Sequence, residues 1–336
     1  MKEGDSLFRV VITGDTIAPE AMEILAGKCR VVFTGPYPPP EILAQKLKEE
    51  MAQALILRTG KVTADVVKAS ADLKVIAKHG AGFDNIDVQT ATALKVPVVT
   101  AATANYESVA EHTLGLMFSL AKSISWLDGR MRQGFWDKTQ FRGVELFRKI
   151  LGLVGFGRIG RRVYELTAPL QMKVLVFDPL LPDRSLPSTV TRVLRLDDLL
   201  KASDIVSLHC PLTGQTRNLI GKRELEMMKK SAWLINTARG EVVDEEALIT
   251  ALQEGKIAAA GIDTFRKEPP EDVRRLCEAG RVVLTPHVAA ATDEAFSRMG
   301  IEAARNTLTI LERKEPDRDF VVNPEVLGGK GKAHRP

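Results

Sequence analysis

The chain is poor in the features that mark secreted, metal-binding or membrane proteins. Its three cysteines, Cys29, Cys210 and Cys277, are odd in number and lack metal-ligand spacing. Neither a disulfide framework nor a metal site is expected, and reduced thiols in a cytoplasmic protein are the simple reading. No uncharged apolar run is long enough to span a bilayer, and the N-terminus, MKEGDSLFRVVITG, passes from charges straight into a candidate strand. Export and membrane insertion are therefore not expected. The formal charge is only +4 over 336 residues, with no basic run dense enough for nucleic acid. What remains is a soluble globular chain, long enough that two domains are the natural prior.

The stretch that stands out is Leu151 to Gly160, LGLVGFGRIG, an apolar run feeding into Gly155-x-Gly157-x-x-Gly160. The run reads as a buried parallel strand and Arg158 onward as a helix, which puts the glycines on the turn between them. Gly155 permits the tight turn, Gly157 lets backbone N–H groups approach a pyrophosphate, and Gly160 lets helix and strand pack closely. The helix N-terminus adds unpaired N–H groups and partial positive charge. The next strand, Lys173 to Phe177, ends in Asp178, eighteen residues after Gly160. A carboxylate there accepts both ribose hydroxyls and repels a 2′-phosphate, so the site reads as one for NAD rather than NADP. A short-chain dehydrogenase would need Tyr-x-x-x-Lys. Tyr37, Tyr106 and Tyr164 are instead followed at that spacing by Glu41, Ala110 and Ala168.

Strand and helix patterns alternate throughout. Before the glycine loop, strands are expected at Arg9 to Thr13, Val31 to Phe33, Ala54 to Leu57, Val75 to Ala77 and Val96 to Thr100, with helices around Glu20, Glu41, Ala64 and Asp87. Such alternation implies a parallel sheet covered on both faces. Two strand-end loops here, Arg58-Thr59-Gly60 and Lys78 to Asn85, lie where open sheets bind ligands. Gly80 and Gly82 free backbone N–H groups to cradle a carboxylate, and Arg58, Lys78 or His79 can add charge. Val109 to Arg132 reads as one long connecting helix; His112 on it reads as structural, and Thr113 reaches a cofactor only if the helix phase turns it toward the cleft. Gln133 to Phe147, with Trp136, is irregular and reads as a partner-binding arm.

Beyond Asp178, strands at Ile205 to Leu208, Ala232 to Ile235, Ala258 to Ile262 and Val282 to Leu284 end in His209-Cys210-Pro211, Asn236-Thr237-Ala238-Arg239, Asp263 and Thr285-Pro286-His287. In a doubly wound sheet these ends open on the cleft of the glycine loop. Three of the residues collected there form a chemical set. Arg239 offers a bidentate clamp for a carboxylate, His287 supplies an imidazole, a group that can both give and take a proton, and Glu268 is a carboxylate able to hold and charge that imidazole. Moving a hydride from a C–H bond requires a base for the hydroxyl proton and, in reverse, an acid for the carbonyl oxygen. From Thr292 a helix runs to about Arg313, Val321 to Pro324 returns to the first domain, and the tail GGKGKAHRP, with His334, reads as disordered.

The ordered series HGAGFDNID, LGLVGFGRIG, SLHCPLT, LINTARGEVVDEEAL, GIDTFRKEPP and LTPHVAAAT resembles the D-isomer-specific 2-hydroxyacid dehydrogenases, which include phosphoglycerate, glycerate/hydroxypyruvate and D-lactate enzymes. The resemblance implies that Arg239 binds the substrate carboxylate and polarises its carbonyl, that His287 is the acid/base and that Glu268 tunes it. It implies that Arg158, Ile159, Asp178, His209, Cys210, Pro211, Thr216, Thr237, Ala238, Asp263, His287, Ala289 and Ala290 line the NAD site, and that backbone near Ala81 and Gly82 takes the substrate carboxylate. Related formate dehydrogenases lack a carboxylate at the Glu268 position and need no acid/base, so that branch is disfavoured. HGAG stands where GVG preceded by arginine is frequent, which leaves the contact to the distal end of the substrate open between Arg58 and Lys78. The sequence stops soon after Pro324, so the regulatory C-terminal domain that some phosphoglycerate dehydrogenases carry, and feedback control through it, are not expected.

The expected architecture is α/β, with a Rossmann NAD domain (105–292) inserted into a discontinuous, flavodoxin-like substrate domain (1–104 and 293–336), hinged so that closure excludes water from the hydride path. The expected function is interconversion of a small D-2-hydroxy acid and its 2-keto acid by a homodimer. An NAD(H)-sensing binding or corepressor-like protein on the same fold is the alternative.

Overall fold

The computed structural model describes residues 7–181 and 186–328. The tail beyond Gly328, including His334, lies outside them. The chain divides into two compact units, residues 1–105 with 291–336, and residues 106–290. The crossings fall one residue later and two residues earlier than the sequence pattern suggests. A helix begins at Tyr106 on one side, and on the other Thr292 caps the helix Asp293–Leu311 through Ala295 N–H, so it goes with that helix.

In the first unit, β1 (Phe8–Ile12), β2 (Cys29–Phe33), β3 (Ala54–Leu57), β4 (Val75–Lys78) and β5 (Val98–Thr100) form a parallel sheet in the order β2-β1-β3-β4-β5. Successive side chains enter opposite cores, as the two-residue period of a strand requires. Val10, Ile12, Ile56, Val75 and Val99 join Ala303, Ala304 and Leu308 of the helix Asp293–Leu311. Val11, Leu55, Leu57, Ile76 and Val98 meet Leu43, Leu47, Val66 and Val67 on the other face. Both faces being covered, the central strand β3 reads as an unbroken apolar run, while charged residues enter β1, β2 and β4 only near their ends, as Arg9, Arg30 and Lys78.

In the second unit, β6 (Ile150–Val154), β7 (Lys173–Phe177), β8 (Val190–Arg192), β9 (Ile205–Leu208), β10 (Trp233–Asn236), β11 (Ala259–Ile262) and β12 (Val282–Leu284) are all parallel, in the order β12-β11-β10-β9-β6-β7-β8. The chain leaves β6 toward β7 and β8, then returns to β9 on the other side. The connections above β6 and β9 therefore diverge, leaving the crevice in which sheets of this kind bind ligands. The helix Tyr106–Lys122 covers one face, burying Ala110, Leu116, Met117, Leu120 and Ala121 beside Leu151, Leu153 and Ile235. Each larger aliphatic side chain so buried contributes about 1.5–3 kcal/mol.

The single helix expected over Val109 to Arg132 is instead two, Tyr106–Lys122 and Ile124–Arg132. Ser123 between them has φ +50°. Arg281, distant in sequence, donates from Nη2 to the Leu120 carbonyl and, at 3.0 Å, to Ser123 Oγ, ending the first helix by taking an acceptor at its last turn. The strand β8 has no counterpart in the sequence pattern, being a three-residue edge strand with one buried apolar residue, Val190.

Near the chain's end, Val321 forms an antiparallel bridge to Val99, and Val322 N–H donates to Val98 C=O. Asn323 is 1% exposed; its Oδ1 accepts from Val98 N–H at 2.8 Å, and its Nδ2 donates to Thr92 Oγ1 and Val96 C=O, each at 3.0 Å. This covers the open edge of β5. Asn323→Ala orphans those buried groups at about 1–3 kcal/mol each. The expected result is a loss of at least about 2 kcal/mol in chemical denaturation, with Asn323→Asp unable to restore the two donated bonds.

At the end of β4, His79 is buried against Phe296, ring centroids 5.3 Å apart, and its Nε2 has no partner among the described residues. Burial, reinforced by the charge of Arg58, pushes this imidazole down to about 3. An unfolded histidine takes up its proton near pH 6.5. Between those values the unfolded chain holds the extra proton, so stability falls as pH is lowered, by about 1.4 kcal/mol per pH unit for this one group. His79→Leu is expected to flatten the slope of unfolding free energy between pH 6 and 4 by about one proton, and an unchanged slope would place the acid sensitivity elsewhere.

Candidate functional site

In the second unit the turn from β6 into the helix Arg158–Thr167 is built as the glycine spacing suggests. Gly155 has φ +94°, and a Cβ there would sit 2.8 Å from the His209 carbonyl carbon at the end of β9. A Cβ on Gly160 would lie 2.4 Å from the Gly155 carbonyl oxygen. Gly157, by contrast, has nothing within 4 Å of a built Cβ, and as the helix N-cap it offers no side-chain acceptor to the first N–H groups. The open approach and the uncapped donors fit a pyrophosphate. Arg158 is exposed at this terminus and Ile159 half-buried beside it.

Asp178, at the end of β7, accepts from Phe156 N–H at 2.9 Å through one oxygen and from Leu180 N–H at 3.0 Å through the other. It thus braces the glycine loop and stands where a ribose would meet it. After β9, His209 bonds Ser207 Oγ at 2.9 Å and its buried Nδ1 has no partner among the described residues; burial pushes its imidazole down to about 3. Burial likewise raises the Cys210 thiol to about 11, so it is no nucleophile at neutral pH. Thr216 accepts from Thr213 N–H at 2.7 Å and donates to Pro211 C=O at 2.6 Å, which shapes this loop from within.

The loop after β10 is held by Asn236, which the sequence places at the strand end without showing its role. Its Oδ1 accepts from Ala238 N–H at 3.0 Å and its Nδ2 donates to Arg239 C=O at 2.9 Å, winding the loop around one 1% exposed amide. Thr237 Oγ1 lies 2.9 Å from Thr113 Oγ1. Arg239 itself is half-buried and donates from Nη1 to Ala238 C=O at 2.6 Å. A Cβ on Gly240 would lie 1.9 Å from the Phe265 carbonyl carbon. The backbone carrying Arg239 therefore touches the backbone leading to Glu268, a closeness only glycine permits.

Glu268 Oε2 lies 2.6 Å from His287 Nδ1, and Oε1 accepts from Phe265 N–H at 3.0 Å. Burial alone would raise the Glu268 carboxyl, but the hydrogen bonds from His287 and Phe265 and the charges of His287 and Arg239 outweigh it and hold it below the usual range. An ionised Glu268 can only accept, so His287 carries a proton on Nδ1 and turns Nε2 to whatever reacts. His287 has φ +53°, a left-handed backbone that costs a non-glycine residue about 1–2 kcal/mol.

What holds that backbone is Asp263, expected to face the cofactor. It is fully buried, and both oxygens are engaged by the His287 loop. Oδ1 accepts from Thr285 Oγ1 at 2.6 Å and Val288 N–H at 2.9 Å, Oδ2 from Ala289 N–H at 3.0 Å, and its carbonyl from His287 N–H at 2.7 Å. Ala289 is buried and Ala290 half-buried as the chain leaves this unit.

In the first unit, Gly80 has φ +146°, and Ala81 and Gly82 are half-buried. Asn85 Nδ2 donates to Gly60 C=O at 2.6 Å, joining the loops after β3 and β4. Lys78 Nζ lies 3.3 Å from Arg58 C=O. The Arg58 guanidinium is turned into the fold, donating to Thr16 C=O and lying 4.8 Å from the Phe296 ring centre. Among the described residues, no three metal-binding side chains converge, and no helix is long and apolar enough to cross a membrane.

The family model described as D-isomer specific 2-hydroxyacid dehydrogenase, NAD binding domain, matches residues 114–289. The chain is 39% identical over 323 residues to the D-3-phosphoglycerate dehydrogenase of Methanocaldococcus jannaschii, covering 95% of this chain but spanning only 60% of that protein. It is 40% identical over 298 residues to the hydroxypyruvate reductase of Thermotoga maritima, covering 88% of this chain and 95% of that one. The solved structure of D-lactate dehydrogenase from Aquifex aeolicus, complexed with NAD and lactic acid, matches with a TM-score of 0.82 at 29% identity, over 94% of this chain and 99% of that one. The two parallel-sheet α/β domains, one of them Rossmann-like and of the NAD(P)-binding kind, are those of such enzymes. With the family model matched over residues 114–289 and a relative 40% identical over 88% of the chain, this protein belongs to the D-isomer specific 2-hydroxyacid dehydrogenase family.

Proposed function

We propose that this protein is an NAD(H)-dependent dehydrogenase of a small D-2-hydroxy acid of the 3-phosphoglycerate or glycerate/hydroxypyruvate kind. The observation that carries the reading is the 2.6 Å contact of His287 Nδ1 with Glu268. The dinucleotide, when bound, supplies or takes up the hydride. The Gly155–Gly160 turn would hold its pyrophosphate and Asp178 its adenosine ribose, a carboxylate there favouring NAD over NADP. Arg239 would pair with the substrate carboxylate. In reduction the His287 imidazolium gives its Nε2 proton to the carbonyl oxygen; in oxidation neutral Nε2 accepts the hydroxyl proton, and Glu268 stays ionised throughout. Phosphoglycerate and hydroxypyruvate enzymes among the relatives support the substrate class.

The test is turnover of a panel of 2-keto acids with NADH and with NADPH. NADH is expected to bind more tightly, and His287→Ala to lower kcat by about 10²–10⁴-fold while NADH binding survives. Wild-type rates in His287→Ala, or a lower Kd for NADPH, would overturn the acid/base or the cofactor assignment respectively.

We further propose a cytoplasmic homodimer. Ile124, Trp126, Met131, Phe135 and Trp136, close together in the sequence, are all exposed in the single chain, Trp136 at 73%. So many large apolar side chains in water mark a surface that associates. Light scattering is expected to give twice the chain mass, and a monomer at micromolar concentration would remove the proposal.

A further inference from the structure

The helix Tyr106–Lys122 covers the sheet of the second unit with an apolar face, yet three polar side chains on it are spent on the loops of the proposed site. Ser108, 4% exposed, donates from Oγ to Ala289 C=O at 2.6 Å. His112, one turn further on, places Nε2 3.0 Å from Thr285 Oγ1 and 3.5 Å from Asp263 Oδ1. Thr113 holds Thr237, two residues before Arg239. The contacts of His112 and Ser108 thus fall two residues before and two residues after His287.

The partners decide which way the His112 bond runs. The Thr285 hydroxyl has one proton, and at 2.6 Å a carboxylate oxygen takes it. Thr285 then has only lone pairs left for the imidazole, so the protonated ring nitrogen of His112 is Nε2. The same N–H adds an attraction to Asp263 Oδ1, on which the Thr285 hydroxyl and Val288 N–H already converge. The chain of contacts His112, Thr285, Asp263 ends on the backbone of His287, whose N–H donates to the Asp263 carbonyl at 2.7 Å and whose φ of +53° is not held by local preference.

We propose that His112 is a positioning residue of the acid/base step: its Nε2–H, acting through Thr285 and Asp263, keeps the 285–289 loop in the conformation that aims His287 at the reacting oxygen, with Ser108 bracing the far end. The inference rests on the reading of His287 as the acid/base. Its force is geometric, since a misplacement of about 1 Å in a catalytic group can cost about 10²-fold in rate.

His112→Leu removes the donor at similar volume, and His112→Gln can return an N–H close to the position of Nε2. With a 2-keto acid that wild type reduces, His112→Leu is expected to lower kcat by about tenfold or more, with NADH affinity within about twofold, and His112→Gln to recover most of the loss. Thr285→Val breaks the main link, so adding His112→Leu to it is expected to slow the enzyme by much less than His112→Leu does alone. Wild-type kcat in His112→Leu, equal impairment in the glutamine variant, or additive losses in the double variant would each overturn the proposal. A readout independent of turnover is the long-range ¹H–¹⁵N spectrum of wild-type protein with labelled histidine, where His112 is expected to be protonated at Nε2. A ring carrying its proton on Nδ1 alone overturns the link, even if the leucine variant does not fold. If wild type reduces no 2-keto acid, the functional reading fails on that result while the spectrum still tests the His112 contact.

Discussion

A fully buried carboxylate must find donors for its oxygens or cost several kcal/mol, and Asp263 finds them almost entirely in one five-residue stretch. Thr285, Val288 and Ala289 each donate a hydrogen bond to it, and His287 N–H donates one to its backbone carbonyl. A loop wrapped this tightly around one side chain has little freedom, which is how a histidine comes to sit in a left-handed backbone. The cost of that conformation is met by the desolvated carboxylate rather than by anything in His287 itself. Glu268 is then within reach of Nδ1, and the dyad follows from the loop.

The same logic recurs at two other strand ends of the Rossmann-like unit. Asn236 winds the Arg239 loop around its amide as Asp263 winds the His287 loop around its carboxylate. Asp178 ties the glycine turn to the end of the neighbouring strand. In a parallel sheet every strand runs the same way, so all the carboxyl ends come out on one edge. Short polar residues at or just past the strand ends, bonding into their own or a neighbouring strand's loop, convert that topological fact into a rigid floor. Gly155 and Gly240 are where two such loops come too close for a side chain, 2.8 and 1.9 Å from neighbouring backbone if a Cβ were built.

The second unit's covering helix belongs to this arrangement as much as the strands do. Its apolar residues fill the core, and its polar ones, Ser108, His112 and Thr113, reach the loops that carry His287 and Arg239. Packing and positioning are carried by the same seventeen residues of helix, so the stability of the core and the precision of the site are coupled.

Much of this was legible in the chain. Ala54–Leu57, Lys173–Phe177, Ile205–Leu208 and Val282–Leu284 emerge with the bounds their apolar runs suggest; in Ala54–Leu57 and Ile205–Leu208 every residue is buried, and a strand covered on both faces leaves an unmistakable run. The three glycines, Asp178 and the trio Arg239, Glu268 and His287 could be named from spacing and residue chemistry alone. The break at Ser123 could not, since the group that ends the helix is Arg281, brought there by folding. Nor could β8, which has too few apolar residues to show a pattern. The inward turn of Asp263 and Arg58 and the bonds of His112 were equally hidden, because each depends on which partner arrives from far along the chain. Local periodicity and backbone sterics act over a few residues and are written in order along the sequence. Hydrogen bonds between a helix at 108–113 and loops at 237 and 285–289 exist only once both have been packed against the same sheet.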